Sequence, residues 1–144
     1  MKKIILWSLL IATTFTLSFC KKYEEGPAIS LIPKKQRMAN TWKYDKIIKN
    51  GNQQHLSSID RNITLTLESN GDAEGQYSDG GFSYKAPGTW IFDENKDKVT
   101  ISLKHPWHTD TKTYDIIRLK RSELWLVYID SSNDKWEYHW IPAE

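Results

Sequence analysis

Cysteine is nearly absent from this 144-residue chain, in which Cys20 is the only one. A single cysteine excludes an intrachain disulfide, so the core alone must stabilise the fold. Residues 1–19 hold two of the 20 basic side chains and no acidic one, so residues 20–144 contain 18 basic and 18 acidic side chains. That balance leaves no basic excess for neutralising phosphates, and it argues against nucleic acid as a partner.

The sequence also lacks the motifs of the common hydrolases. Neither Gly-x-Ser-x-Gly nor His-Glu-x-x-His occurs. His105 and His108 stand three apart in an expected loop near Asp110, but a zinc site would need a further ligand, and loop histidines are usually just exposed. Asp93 and Glu94 belong to an expected turn, where acids cap backbone N–H groups. We therefore expect no catalysis, no metal and no cofactor.

No apolar run reaches the roughly 20 residues that a membrane helix needs. The run at residues 4–17 follows two lysines and ends shortly before Cys20, which is the layout of a bacterial secretory signal. Residues 17–20 (Leu-Ser-Phe-Cys) resemble the lipobox of bacterial lipoproteins. We predict that residues 1–19 are a signal peptide and that Cys20 carries a lipid. This lipid would anchor the chain in the bacterial cell envelope, at the outer membrane, on its periplasmic or its surface side.

Residues 20–32 are expected to form a lipidated tether. Gly26-Pro27 discourages regular structure there. Residues 21–25 resemble the acidic export tag of surface lipoproteins of the Bacteroidetes, although any tether near lipid headgroups is charged. Residues 33–144 then form one domain, long enough for a single core.

The chain beyond residue 41 alternates short runs of β-branched and aromatic residues with turn residues. Leu65 and Leu67 alternate with threonines, which indicates a strand with one buried face. Asn50-Gly51 is a strong hairpin signal. About eight strands are predicted, at residues 42–49, 62–68, 73–77, 82–92, 98–103, 113–119, 124–130 and 135–141.

The short turns between these runs predict an all-β, up-and-down antiparallel barrel. Closure removes exposed strand edges, and eight strands enclose room for side chains or one small ligand. A two-sheet sandwich would need longer crossovers. A short helix is expected at residues 33–40, and Pro87-Gly88 indicates a bulge, a bend or an edge position within residues 82–92.

Residues 36–43 (Gln-Arg-Met-Ala-Asn-Thr-Trp-Lys), a short helix running into a first strand, resemble the lipocalin-like lipoproteins of the Bacteroidetes. Gly26-Pro27, Asn50-Gly51, residues 88–90 (Gly-Thr-Trp) and residues 124–126 (Leu-Trp-Leu) add to the likeness. The resemblance implies a lipocalin-like barrel, in which Trp42 is a buried structural plug at the closed end.

Aromatic residues are abundant after the leader, with six tryptophans and seven tyrosines. Their large apolar surfaces serve core packing, line a cavity or form an outward platform, and all three readings stay open. Trp136, Tyr138 and Trp140 share one face of the last strand. The candidate ligand-binding residues are Trp90, Trp125, Trp136, Tyr138 and Trp140.

Two functions are compatible with these features. The first is a lipid-anchored envelope protein whose barrel binds a small apolar or amphipathic ligand. The second is a non-enzymatic interaction module, such as an accessory subunit of an envelope or glycan-handling complex, with a barrel filled by its own side chains. An open apolar cavity would favour the first function, and an exposed aromatic ridge would favour the second.

Overall fold

A computed structural model describes residues 31–144 of the chain. The predicted signal peptide, Cys20 and the tether up to residue 30 lie outside the described residues. No helix within residues 31–144 has the length and apolar character to cross a membrane. This part contains the helices α1 (Lys34–Met38) and α2 (Ser58–Arg61) and the strands β1 (Asn40–Lys49), β2 (Asn52–Gln53), β3 (Thr64–Leu67), β4 (Asp72–Asp79), β5 (Phe82–Phe92), β6 (Lys98–Lys104), β7 (Thr109–Leu119), β8 (Leu124–Ile129) and β9 (Lys135–Pro142).

The strands form a closed antiparallel barrel, as predicted. Strand β1 pairs with β3, each later strand pairs with the next, and β9 returns to pair with β1. The closing register runs from Trp42 opposite Pro142 to Lys49 opposite Trp136. The two-residue β2 lies outside this ring of eight and pairs only with the end of β1. The prediction of an eight-stranded barrel preceded by a short helix is therefore confirmed.

Two irregularities bend the strands that complete the ring. The register shifts in β1 between Tyr44 and Lys46, and in β7 between Ile116 and Arg118. Such bulges sharpen the local twist and bend a strand, which helps a sheet to close on itself. By contrast, Pro87 and Gly88 lie within an unbroken β5, so the register shows no bulge there. Pairing of β5 with β6 begins only at Gly88, so Pro87 pairs with β4 alone, which agrees with the alternative of an edge position.

Because the strands run up and down, the connections divide between two ends of the barrel. Helix α1 and the turns at residues 68–71, 93–97 and 120–123 lie at one end, here called the floor. The connections at residues 50–63, 80–81, 105–108 and 130–134 lie at the other end, here called the mouth. The residues that position a ligand site are therefore those on the inner face between floor and mouth.

The floor is the best-packed part of the core. Trp42, Met38, Leu119 and Leu124 are completely buried there. Helix α1 is held against this core by Arg37, which donates to the carbonyl oxygen of Leu119 at 2.8 Å. The helix thus closes the barrel at the end from which the chain enters.

Two strands, β7 and β3, have bounds that differ clearly from the predicted ones. Strand β7 begins at Thr109, inside the expected loop of residues 105–110. Strand β3 is only Thr64–Leu67, because the chain before it forms α2. Ser57 caps α2 in a reciprocal box with Asp60, and this local pairing stabilises a single helical turn that has no hydrophobic periodicity.

Candidate functional site

The barrel contains a cavity of about 290 Å³ between the floor and the mouth. Inward-facing residues of seven of the eight barrel strands, all but β5, contribute to its wall. Its lower part is apolar and is formed by Leu65, Ile101, Leu126 and Trp140. Pockets with mostly apolar walls and a few placed polar groups are typical of small-molecule sites.

Four tyrosines form a belt above this apolar part: Tyr44 on β1, Tyr77 on β4, Tyr114 on β7 and Tyr138 on β9. The ring of Tyr44 stacks on Trp140, with centroids 3.8 Å apart and planes inclined by 30°. Tyr138 lies 5.9 Å from Tyr44 and 6.1 Å from Tyr114, again between ring centroids. We call this set the tyrosine belt.

Burial keeps the tyrosine belt protonated. Removal from water disfavours the phenolate, which raises the pKa of Tyr77 and of Tyr138 to about 12. Burial likewise raises the pKa of Tyr44 and Tyr114 above the ordinary value, and the neighbouring tyrosines of the belt add to the effect. Each hydroxyl is therefore a neutral group that can donate and accept one hydrogen bond or more at any physiological pH.

Gly75 makes room for the ring of Tyr77 on β4. Both residues face inward, and a Cβ atom at Gly75 would lie 2.8 Å from Cε2 of Tyr77 and 3.2 Å from Cδ1 of Leu103. A real Cβ essentially never comes so close to another atom. The missing side chain therefore lets the Tyr77 ring lie back along the wall instead of filling the cavity.

The mouth of the cavity is polar. His105 and His108 stack with ring centroids 4.7 Å apart and planes within 8°. Nδ1 of His105 lies 3.2 Å from the hydroxyl of Tyr84. Lys112 donates from Nζ to Oδ2 of Asp110 at 2.7 Å. Burial and the neighbouring His108 lower the pKa of His105, so that this ring is neutral at pH 7.

This arrangement is suited to binding. It offers apolar faces, hydroxyl groups and one ion pair around a small closed volume. Among residues 31–144 there is no cluster of three or more His, Cys, Asp or Glu side chains that could hold a metal ion. The ring nitrogens of the paired imidazoles at the mouth are groups that can donate or accept hydrogen bonds.

Tyr138 and Trp140 line the cavity, whereas Trp136, two residues earlier on the same face, does not. Trp136 lies at the mouth, where its indole N–H donates to Oδ2 of Asp130 at 2.9 Å. Nζ of Lys49 lies 4.8 Å above its ring. This tryptophan therefore fastens the last strand at the rim.

Trp90 lies at the floor and not at the cavity. Its indole N–H donates to the carbonyl oxygen of Glu68 at 2.8 Å, and its ring meets Phe92 edge to face at 5.1 Å. It borders a separate external groove of about 650 Å³ beside α1, whose lining includes Lys34, Lys35, Asp93, Glu94 and Lys96. This groove lies outside the barrel, and no member of the tyrosine belt lines it.

Trp125 lies on the outer surface of the barrel. Side chains alternate along β8, so Leu124 and Leu126 face inward and Trp125 faces outward. Its ring stacks on His139 at 3.9 Å with planes within 4°, and the guanidinium of Arg118 lies 4.4 Å above it. Trp125, Trp90 and Trp136 therefore do not line this cavity, and a part for them in ligand binding stays a prediction.

Sequence reasoning missed three members of the tyrosine belt. A signal for each was present in the alternation of its strand. Each lies an even number of residues from a buried residue of its strand, and therefore on the same face. The buried residues are Trp42 for Tyr44, Ala73 for Tyr77 and Ile116 for Tyr114.

The structure also shows Trp42 completely buried, with its indole N–H donating to the carbonyl oxygen of Met38 at 2.9 Å.

Comparisons with known proteins agree with this architecture. The family model described as "Lipocalin-like domain" matches residues 38–126. Among solved structures, the chain is similar to insecticyanin from the tobacco hornworm Manduca sexta, with 7% identity, a TM-score of 0.57, and coverage of 84% of this chain and 67% of that one. It also matches an odorant-binding protein from bovine nasal mucosa, with 10% identity, a TM-score of 0.44, and coverage of 81% and 77%. No curated protein matches the chain.

Proposed function

The chain belongs to the family of lipocalin-like domains, and on that premise we propose that its barrel binds one small apolar or amphipathic molecule. The single observation that carries the proposal is the cavity of about 290 Å³ above a sealed floor. A barrel that served only as an interaction module would need no such volume, since its own side chains would fill it. Binding without catalysis is in keeping with the neutral hydroxyls and the apolar faces of the wall.

A cavity-filling variant tests this proposal. Leu103 faces the cavity from β6, whereas Ile91 on the adjacent β5 faces solvent and is 68% exposed. We expect the wild type and Ile91→Trp to bind the apolar fluorescent probe N-phenylnaphthylamine with one-to-one stoichiometry. Leu103→Trp should bind it at least roughly tenfold more weakly, because the indole takes up the space. Equal affinity in both variants, with both folded by circular dichroism, would place the probe outside the barrel.

The chain is further proposed to work as a lipoprotein of the bacterial envelope, of the type found in the Bacteroidetes. Support comes from the sequence, in which the only cysteine directly follows an apolar export signal. Lipid on Cys20 would hold the barrel at the outer membrane through the tether. The test is Cys20→Ala, which should abolish palmitate labelling and retention in the membrane fraction. A variant that partitions like the wild type would show that the anchor is something else.

One observation favours an additional role as an interaction module. Several large apolar side chains are exposed around the mouth, in connections or at strand ends: Ile59, Phe82, Trp107 and Ile129, with exposed fractions of 44%, 62%, 65% and 56%. Exposed apolar groups that cluster at one end of a protein often mark a binding surface. Phe82→Ser with Trp107→Ser should abolish crosslinking to an envelope partner while N-phenylnaphthylamine still binds. Crosslinks that persist in this variant would exclude the mouth as the contact surface.

A further inference from the structure

The tyrosine belt carries more polarity than a receptor for pure hydrocarbons needs. Phenylalanine would fill the same space and give the same ring faces. None of the four hydroxyls is hydrogen-bonded to another protein group within residues 31–144. They come from four strands, and all four tyrosines line the same cavity. Their hydroxyl groups are therefore available to a ligand in that cavity.

A ligand that enters this space must replace the hydrogen bonds that water would give to the hydroxyls. A group that accepts or donates in the same positions keeps the affinity, whereas a hydrocarbon that leaves the hydroxyls unpaired loses it. The belt thus disfavours a saturated chain and favours a ligand with oxygen or nitrogen atoms at this depth. Tyr44 and Tyr114, which pack against the buried core, should discriminate strongly.

The wall also favours a flat ligand. Trp140 and Tyr44 form a stacked pair, and Tyr138 stands beside them at 5.9 Å from Tyr44. Such ring faces attract a further ring in an offset or edge-to-face arrangement. The cavity volume also suits a small aromatic ligand, since a dry cavity of about 150 Å³ holds benzene and this cavity has about 290 Å³. One or two rings fit within this volume.

The mouth provides a second polar contact, because Lys112 lies two residues before Tyr114 on β7, on the same face and nearer the mouth. Lys112 donates and Asp110 accepts, and the two form an ion pair that is more than one third exposed on each side. His105 and His108 stack beside this pair and add ring nitrogens. A carboxylate or hydroxyl group at the outer end of a ligand would find a donor in the Lys112 ammonium and further partners in the imidazoles.

We propose that the cavity selects a planar aromatic molecule of one or two rings with an oxygen substituent at each end, such as a hydroxylated aromatic acid. The inner oxygen pairs with hydroxyls of the tyrosine belt, the rings lie against Trp140 and Tyr44, and the outer oxygen meets Lys112. This inference rests on the proposed function, because it names the class of ligand for the same cavity.

The test compares three probes of similar size by isothermal titration calorimetry. These are 6-hydroxy-2-naphthoic acid, naphthalene with the same rings but no oxygen, and decanoic acid with a carboxylate on a saturated chain. We expect the hydroxynaphthoate to bind at least roughly tenfold more tightly than either of the others. Tyr44→Phe and Tyr114→Phe should each weaken it by roughly five- to tenfold, the loss of about one hydrogen bond. Both should leave naphthalene binding unchanged or tighter.

The control variant is Tyr128→Phe, since Tyr128 lies 5.9 Å from Tyr114 on β8 but does not line the cavity. It should keep wild-type affinity for all three probes. Naphthalene or decanoate binding as tightly as the hydroxynaphthoate would overturn the inference, as would wild-type affinity in both cavity variants. The proposed function would survive that result if N-phenylnaphthylamine still bound inside the barrel. Absence of binding by every probe, N-phenylnaphthylamine included, would overturn both.

Discussion

Trp42 and Met38 are joined by a hydrogen bond of 2.9 Å from the indole N–H to the carbonyl oxygen, and both side chains are completely buried. The bond ties the end of α1 to the start of β1. It also satisfies the one polar group of the indole, which would otherwise make burial costly. The pair therefore couples the N-terminal helix to the floor of the barrel, and the floor is where stability should be most sensitive to substitution.

We expect Trp42→Ala to lower the free energy of unfolding by about 3–5 kcal/mol, the usual cost of truncating a buried aromatic. A domain of this kind has roughly 5–15 kcal/mol in total, so the denaturant midpoint should fall sharply. Trp136→Ala at the half-buried rim is the matched control and should cost less than half as much. Equal losses in urea titrations of the two variants would contradict the assignment of Trp42 as the plug.

Gly88 is expected to be intolerant of any side chain. A Cβ atom there would lie 1.8 Å from the carbonyl oxygen of Ser102 on β6, which is backbone and cannot swing away. Gly88→Ala must push β5 and β6 apart, at a cost of about 3 kcal/mol or more. Thr89→Ala, at the exposed position next to it, should change stability by less than about 1 kcal/mol. Thermal unfolding of the two variants gives the comparison, and similar melting temperatures would contradict the close approach.

Much of the fold was predictable because strand alternation is a local property of the sequence. Leu65 and Leu67 face the core as their alternation with threonines indicates. Strand β8 was not predictable in the same way, because Trp125 and Val127 make its outer face as apolar as its inner one. On the outer face, the Trp125 ring contacts the guanidinium of Arg118 on the neighbouring strand β7. This contact between strands cannot be read from the local sequence of β8.

The candidate site was predictable only in part, for a related reason. Tyr138 and Trp140 share an aromatic run, so their common face could be read from one strand. Tyr44 and Tyr77 are single aromatics on separate strands, and only the register of the whole ring brings them to one cavity. The space between them further depends on Gly75, whose meaning appears only when the Tyr77 ring is seen against it.

Acid should loosen the connection between β8 and β9. Hydrogen bonds from Trp136 and from backbone N–H groups lower the pKa of Asp130, and those from Lys49 and Asn50 lower the pKa of Asp134. A carboxylate with a depressed pKa stabilises the fold above its unfolded value of 3.8, and this contribution is lost as the pH falls through the folded pKa.

We therefore expect the urea midpoint to fall from about pH 5 towards pH 2, with a smaller slope in Asp134→Asn because that variant has lost one of the two carboxylates that protonate in this turn. The same variant should be less stable than the wild type at pH 7. Ser131→Ala, in the same exposed turn, is the control and should keep the wild-type slope. An unchanged slope in Asp134→Asn would show that the acid response arises elsewhere in the protein.

Gly75→Ala should reduce ligand binding more than it reduces stability. The added methyl group meets the Tyr77 ring at 2.8 Å, and this contact is with a side chain, which can move, rather than with backbone. Rotating the ring towards the cavity relieves the contact and takes up part of the 290 Å³. Because the variant also gains strand propensity over glycine, its net cost in stability should stay below about 2 kcal/mol.

Binding of N-phenylnaphthylamine to Gly75→Ala, followed by fluorescence, should weaken by roughly tenfold, the effect of about 1.4 kcal/mol. Gln76→Ala, at the exposed neighbouring position on β4, is the control and should bind as the wild type does. If Gly75→Ala binds equally well, the Tyr77 ring does not set the size of the cavity.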